Sequence, residues 1–305
     1  MEAKAADGGQ AERWNGPSGN AWVEAQELLD GLYRPFADLL VETVPEGGAD
    51  RVLDVGCGTG GTTVAVARRL GPRGRCVGVD VSAPMLDAAR ARVTREAPGP
   101  EGDRVSFVRG DAQVHAFEPG SFDRVLSRFG VMFFDDPGQA LANLRRAARN
   151  GARLRFVTWR GMEENPFMTV AERAAAPLLP GLPERRPDTP GQFAFADPVR
   201  VRRLLEEAGW ENVALHPVET DCVLPADRLV WWAGHFGPVG AALHGVDEPT
   251  RERVMAAVLP VFDPFVHGDE VRFTAACWRV DATATGDGGP SGRTAPDAAR
   301  ERDGG

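Results

Sequence analysis

Short apolar runs alternate along this chain with longer stretches of helical periodicity. Near-continuous runs such as Val52-Leu53-Asp54-Val55 and Cys76-Val77-Gly78-Val79 predict strands buried on both faces. Strands are expected at 51–55, 75–79, 105–109, 122–127 and 152–159. Between them the pattern predicts helices at 62–70, 83–96 and 137–149. Ser82 caps the second of these and Pro84 sits in its first turn. An earlier helical stretch covers 22–44, bent or broken by Gly31 and Pro35. Strand alternating with helix predicts a parallel sheet wrapped on both faces.

After Trp159 the rhythm changes. Residues 160–196 are rich in Pro and Ala, with one helical run at 167–179. The alternation resumes with a helix at 198–208, capped by Asp197 and stopped by Gly209, and a sixth strand near 212–216. A second helical interruption fills 226–265, and a β-rich run follows at 271–280. The expected division is therefore a helical lid segment at 13–45, a core at 46–159 and substrate-cap insertions at 160–196 and 219–268. Segments 197–218 and 269–281 complete the core. Ligands bind beyond the carboxyl ends of parallel strands, so the insertions after strands 5 and 6 are expected to form a lid there. The polar, Gly-rich ends, 1–12 and 282–305, are expected to be disordered.

Composition narrows the class. The chain has 305 residues, enough for one large α/β domain with a cap. No apolar run approaches the length of a membrane span, and the start has no apolar signal region. A net charge of −9 argues against a nucleic-acid partner, whose phosphates demand basic surface. The four cysteines are scattered without C-x-x-C spacing, which disfavours disulfides and structural zinc and fits a cytoplasmic protein. No His, Cys or Asp cluster has metal-ligand spacing. A lid-to-lid homodimer is open to such a chain, though nothing in the composition demands it.

The chemistry begins at the end of the first strand, in Asp54-Val55-Gly56-Cys57-Gly58-Thr59-Gly60-Gly61. Glycines at 56, 58 and 60 permit positive φ and leave no Cβ between backbone and ligand. Strand, glycine turn and helix make the first unit of a Rossmann-like nucleotide-binding domain. Gly56, Gly58 and Gly61 also satisfy the G-x-G-x-x-G dinucleotide pattern. Asp54 argues against that alternative. A carboxylate 4 Å from a phosphate charge is repelled by about 1 kcal/mol in water and about 4 at an effective dielectric near 20. The same carboxylate suits a ligand bearing an ammonium group.

Asp80 ends strand 2 about 20 residues beyond the turn, where an acid that binds ribose hydroxyls is expected; it could equally be an ordinary helix-preceding acid. Gly110-Asp111-Ala112 ends strand 3. There an acid can accept an adenine amine while the next amide donates to a ring nitrogen, or it can be a solvated turn. Strand 4 ends in Ser127-Arg128-Phe129 and faces the same site.

In order and spacing, DVGCGTG, VDVSAPML, GDAQ and FDRVLSRFGVMFFDDP resemble the class I S-adenosylmethionine (SAM) methyltransferases. ERWNGPSGNAWV, FADPVRVRRLLEEAGW and WWAGHFGP resemble a bacterial subgroup near the ubiquinone/menaquinone C-methyltransferases and secondary-metabolite methyltransferases. The resemblance spans residues 14–280. It implies SAM as cofactor and a seven-stranded, mostly parallel sheet with an antiparallel last strand. It also implies that Asp54 and the turn (Gly56, Gly58, Gly60) hold the methionyl end, that Asp80 binds ribose, that Val81 and Met85 flank adenine, and that Asp111 and Ala112 read its edge. Ser127 and Arg128 would lie near the methionine half. Trp14, Asn20 and Trp22 are expected to form a lid on SAM, or the tryptophans simply pack the first helix on the sheet.

For the acceptor, Arg128, Phe129, Phe167, Trp231, Trp232 and Phe236 are expected to line a pocket suited to a small apolar or aromatic metabolite. His235, among lid aromatics, is the candidate general base, with a hydrogen-bonded structural histidine as the alternative. Methyl transfer to O, N or C in secondary metabolism is the leading reading. A SAM-assisted cyclisation or rearrangement without net transfer, and a non-catalytic SAM-binding regulator, are the alternatives.

Overall fold

The structure is a computed structural model that describes residues 9–187 and 189–286. Four short helices open the chain: α1 (Gly9–Asn15), α2 (Pro17–Glu24), α3 (Gln26–Leu32) and α4 (Arg34–Val41). The alternating core follows as β1 (Arg51–Val55), α5 (Gly61–Arg69), β2 (Arg75–Asp80), α6 (Ala83–Glu96), β3 (Val105–Arg109), β4 (Phe122–Arg128), α7 (Pro137–Ala147) and β5 (Ala148–Trp159). Then come α8 (Val170–Ala175), α9 (Pro198–Glu207), β6 (Glu211–Pro225), α10 (Leu229–His235), α11 (Gly237–Leu243), α12 (Glu248–Val258), β7 (Val266–His267) and β8 (Glu270–Thr283).

The sheet order is β3-β2-β1-β4-β5-β8-β6. The first five strands are parallel, and β8 runs antiparallel to both β5 and β6. The two-residue β7 adds an eighth strand to the seven expected, as a short partner to the start of β8. Helices α4, α5 and α6 pack in a row, and α7 packs on α9. Phe36, Leu40, Leu53, Leu126, Leu141 and Phe156 are buried in the core. Trp210 closes one end, its indole N–H donating to the Leu141 carbonyl at 3.0 Å. The order in which strands are added reverses at β1, which lies between β2 and β4, so the crevice forms beyond its carboxyl end.

Three expectations change. The 22–44 stretch is broken rather than bent, and not at Gly31. It breaks at Ala25 and Tyr33, while Gly31 stays inside α3. Pro35 lacks an N–H and would clash with the carbonyl four residues earlier, so the chain restarts with it in the first turn of α4. The helical run at 167–179 reduces to α8, preceded by a 3-10 turn at Pro166–Met168.

Strand 6 runs to Pro225, not to 216, so the second insertion begins after that residue. Cys222 and Leu224 are buried while Asp221 and Val223 are exposed, a strand alternation that continues into the presumed insertion. Because β5 ends at Trp159, opposite Cys277, the β6–β8 ribbon projects beyond the carboxyl edge of the sheet. The cap packs on this ribbon. Phe167 stacks on Phe273 with centroids 3.9 Å apart, and Phe262 and Phe265 meet it edge-on.

At the termini, α1 begins inside the 1–12 stretch expected to be disordered, and β8 reaches Thr283, just inside the expected tail. Residues 1–8 and 287–305 lie outside the described residues. No helix among the described residues is long and apolar enough to cross a membrane.

Candidate functional site

Two cavities meet above the carboxyl ends of β1, β2 and β4. The first, about 770 Å³, is walled by the glycine turn, the ends of β2 and β3, and α1. The second, about 1370 Å³, lies between α1, α2, the end of β4 and the α10–α11 corner. Trp14, Trp22, Phe129 and Phe133 line both and form the partition.

The turn is built by close backbone approach. Gly56 has φ +65°, and a Cβ on it would stand 2.7 Å from the Gly130 Cα. A Cβ on Gly130 would stand 2.6 Å from the Val55 carbonyl oxygen. Neither site tolerates a side chain unless the backbone shifts. Four of the turn's donors are used internally. Gly56 and Cys57 donate to the Val79 carbonyl at 2.9 and 3.1 Å, Gly60 to Cys57 at 3.0 Å, and Gly58 to Asp80 Oδ2 at 2.8 Å. Those four N–H groups are not free for a ligand, while the Thr59 and Gly61 N–H groups have no partner among the described residues.

Asp80 lines the first cavity. Its other oxygen, Oδ1, accepts from the Ser82 N–H at 2.9 Å, so both carboxylate oxygens are fixed by backbone. Burial pushes its pKa up, and the backbone bonds pull it back. Val81 and Met85 line the same wall, with Asp111 and Ala112 beside them. Asp111 Oδ1 accepts from Gln113 N–H at 2.9 Å. Among the described residues, Asp111 Oδ2 and the Ala112 N–H have no protein partner, which leaves one acceptor and one donor side by side.

The N-terminal segment is stapled over this cavity. Asn15 Oδ1 accepts from the Ala83 N–H at 2.9 Å, and Asn15 Nδ2 donates to the Val81 carbonyl at 3.1 Å. Ser82 Oγ donates to the Trp14 carbonyl at 2.6 Å. These bonds set Trp14 on the cavity wall, edge-on to Trp22 and to Phe133. Asn20 is exposed and outside both cavities.

Three residues expected at the cofactor lie behind the wall. Asp54 is 1% exposed and accepts from Thr63 Oγ1 on α5 at 2.6 Å, because its position on β1 turns it beneath the start of that helix. Burial raises its pKa to about 6, against the pull of Thr63 and Arg128. Ser127 is spent on backbone, donating to the Val55 carbonyl at 2.8 Å and accepting from the Gly130 N–H at 3.1 Å. Gly60 takes φ +78° to begin α5, with Ala89 and Phe107 behind it. Arg128 does line the cavity and is paired with Asp30 of α3 at 3.1 Å.

Phe129 holds φ +62°, a left-handed conformation that costs a non-glycine residue about 1–3 kcal/mol. Its N–H donates to the Val157 carbonyl, and its ring stacks on Trp159 at 4.9 Å and meets Tyr33 and Phe36 edge-on. The packing holds the strained residue at the junction of the cavities.

The second cavity is largely aromatic. Phe129, Phe236 and His235 belong to it as anticipated, but Phe167, Trp231 and Trp232 do not, and Arg128, also expected there, lines the first cavity instead. Phe167 is cap core, and Trp232 lines a smaller neighbouring cavity of about 530 Å³ with it. Trp231 stacks on His235 and donates to Glu24 Oε1 at 3.1 Å, which turns it outward. Arg13, Tyr33, Met132, Phe133, Trp159 and Gln192 line the cavity without having been anticipated. For most of these no local sequence signal exists. Phe133 could have been found from its place just after strand 4.

His235 Nδ1 lies 2.8 Å from the Trp231 carbonyl. A carbonyl only accepts, so Nδ1 carries a proton, and in the neutral imidazole Nε2 is the acceptor. Tyr33 is buried, its pKa is raised by that burial, and its hydroxyl has no partner among the described residues. It is therefore a neutral donor. No group of three His, Cys, Asp or Glu among the described residues could hold a metal ion.

Residues 52–151 match the methyltransferase domain family. The chain is 31% identical over 243 residues to the nocamycin O-methyltransferase of Saccharothrix syringae, covering 75% of this chain and 82% of that one. It is 42% identical over 103 residues to the demethylmenaquinone methyltransferase of Lactiplantibacillus plantarum, covering 34% of this chain and 42% of that protein. The chain spans less than half the length of that relative. Among solved structures, the YcgJ protein of Bacillus subtilis superposes with a TM-score of 0.54 at 15% identity, covering 83% of this chain and all of that one.

Proposed function

The chain belongs to the class I SAM-dependent methyltransferases, and from that premise we propose that it methylates a small, aromatic or largely apolar metabolite at O, N or C, in secondary metabolism. The observation that carries this reading is the shared wall. A cavity lined by Asp80, Met85 and Asp111 and a larger aromatic one share Trp14, Trp22, Phe129 and Phe133 as their common wall. The relatives methylate small molecules, nocamycin and demethylmenaquinone by their names, which supports an acceptor of that class.

SAM is the cofactor, and the first cavity fits it. Asp80 presents two backbone-anchored oxygens to the ribose hydroxyls. Asp111 Oδ2 accepts the adenine amine and the Ala112 N–H donates to the ring. Val81 and Met85 hold the adenine faces, and Gly56 with Arg128 receives the methionyl end. When bound, SAM supplies a methyl group already activated on a sulfonium. The protein's work is alignment, and orientation of this kind can supply about 7–11 kcal/mol of a barrier. Trp14 and Trp22 offer ring faces to a sulfonium, an attraction of about 0.5–2 kcal/mol each. On the acceptor side His235 Nε2 takes the proton of a hydroxyl or amine, and the Tyr33 hydroxyl donates to an acceptor oxygen.

Incubating the purified protein with methyl-labelled SAM and a panel of aromatic and polycyclic acceptors tests this reading. The expected outcome is S-adenosylhomocysteine (SAH) together with a labelled product. Conversion that requires SAM but leaves it unconsumed would replace transfer with a SAM-assisted rearrangement.

A further inference from the structure

The acceptor cavity carries one charge that nothing balances. Its lining contains no carboxylate. Arg13, at its mouth, makes no hydrogen bond or ion pair among the described residues, and its guanidinium lies over the rings of Trp14 and Phe133, 5.4 and 5.2 Å from their centroids. Arg13 is exposed, although partial burial and the neighbouring Arg185 charge lower its pKa. Arg185 is different. It is held by both oxygens of Glu172 at 2.8 Å, by Gln192 and by the Met168 carbonyl, so its charge is met.

We infer that Arg13 selects acceptors that carry an anionic oxygen, a carboxylate or an ionised enol or phenol, on an aromatic body. This deepens the acceptor-side reading above and rests on it. Trp14 and Phe133 are the two rings beneath the guanidinium and also two members of the wall between the cavities. An oxygen anion on Arg13 therefore lies against the partition, with its carbon skeleton among Phe129, Trp159 and Phe236. A planar guanidinium presents paired N–H donors to such an oxygen, and charge-assisted bonds are roughly twice as strong as neutral ones. A neutral acceptor of the same shape would leave the cation unmatched.

The test uses SAH-loaded protein and two probes of one shape, 2-naphthoate and 2-naphthamide, titrated by calorimetry against wild type, Arg13→Met and Arg13→Lys. Wild type should bind naphthoate at least about tenfold more tightly than naphthamide, the Met variant should lose that preference, and the Lys variant should keep part of it. SAH titration of each variant first establishes that the fold persists. Equal binding of the two probes by wild type, no binding of naphthoate, or a preference that survives in Arg13→Met each overturns the inference while leaving the methyltransferase reading in place. Failure of wild type to bind SAH overturns the reading beneath both.

Discussion

Replacing Asp54 by Asn removes a buried charge while retaining the oxygen that accepts from Thr63. Burial holds the Asp54 pKa at about 6, against an ordinary value of 3.8. The folded state thus binds this proton more tightly than the unfolded chain does. The stabilising effect is fully present below about pH 4 and is lost as pH rises through about 6. Roughly two pH units at about 1.4 kcal/mol each give about 3 kcal/mol lost across that window. Asn does not ionise, so its stability carries no such slope. Its amide N–H groups need a partner behind the turn, which costs about 1–3 kcal/mol at every pH. The absolute stability of the variant is therefore less informative than its difference from wild type. Differential scanning fluorimetry of cofactor-free protein from pH 4 to pH 8 at fixed ionic strength reads that difference. At about 2 °C per kcal/mol for a chain of this size, the variant's Tm should gain about 6 °C on wild type between the two ends. Parallel profiles would refute a buried, proton-holding Asp54.

Asp80→Ala removes the proposed ribose acceptor and strands the Gly58 and Ser82 N–H groups, so calorimetric SAH affinity should fall at least about tenfold. Unchanged affinity takes Asp80 out of ribose binding. His235→Gln should lower kcat by about 10²–10⁴ and alter the pH–rate profile while KM changes little; an unaltered profile excludes His235 as the base. Gly130→Ala drives a Cβ to 2.6 Å from the Val55 carbonyl oxygen and 2.9 Å from the Gly56 Cα. It should cost roughly 1–3 kcal/mol in thermal melting and weaken SAH binding with it, whereas wild-type stability would contradict the close crossing of these two backbones.

Much of the first cavity's wall was legible in the sequence because its geometry is local. A strand running into three glycines, an acid at the end of the next strand and a Gly-Asp-Ala turn after the third each follow from near neighbours along the chain. Strands β1 and β3 lie at the residues the apolar runs predict. Helix α6 begins and ends as predicted, with Ser82 accepting from the Met85 N–H as its cap. Asp54 shows the limit of such reading. The motif marks the residue, but the pleat of β1 and the arrival of Thr63 decide which way the carboxylate turns. The case against a dinucleotide accordingly moves from that charge to the methyltransferase family match.

The sequence by itself determined the alternation of strand and helix, the glycine turn and the acids that follow it, since backbone conformation there depends on neighbouring residues. Only the tertiary structure decided that Arg13, Tyr33, Phe129, Trp159 and His235 share one cavity, that Phe129 is held at positive φ, and that β6 rises past the sheet to carry the cap. The wall of that cavity is assembled from segments far apart in the chain. Which of their aromatic rings face inward and which become cap core is set by packing between those segments, and no short window of residues encodes it.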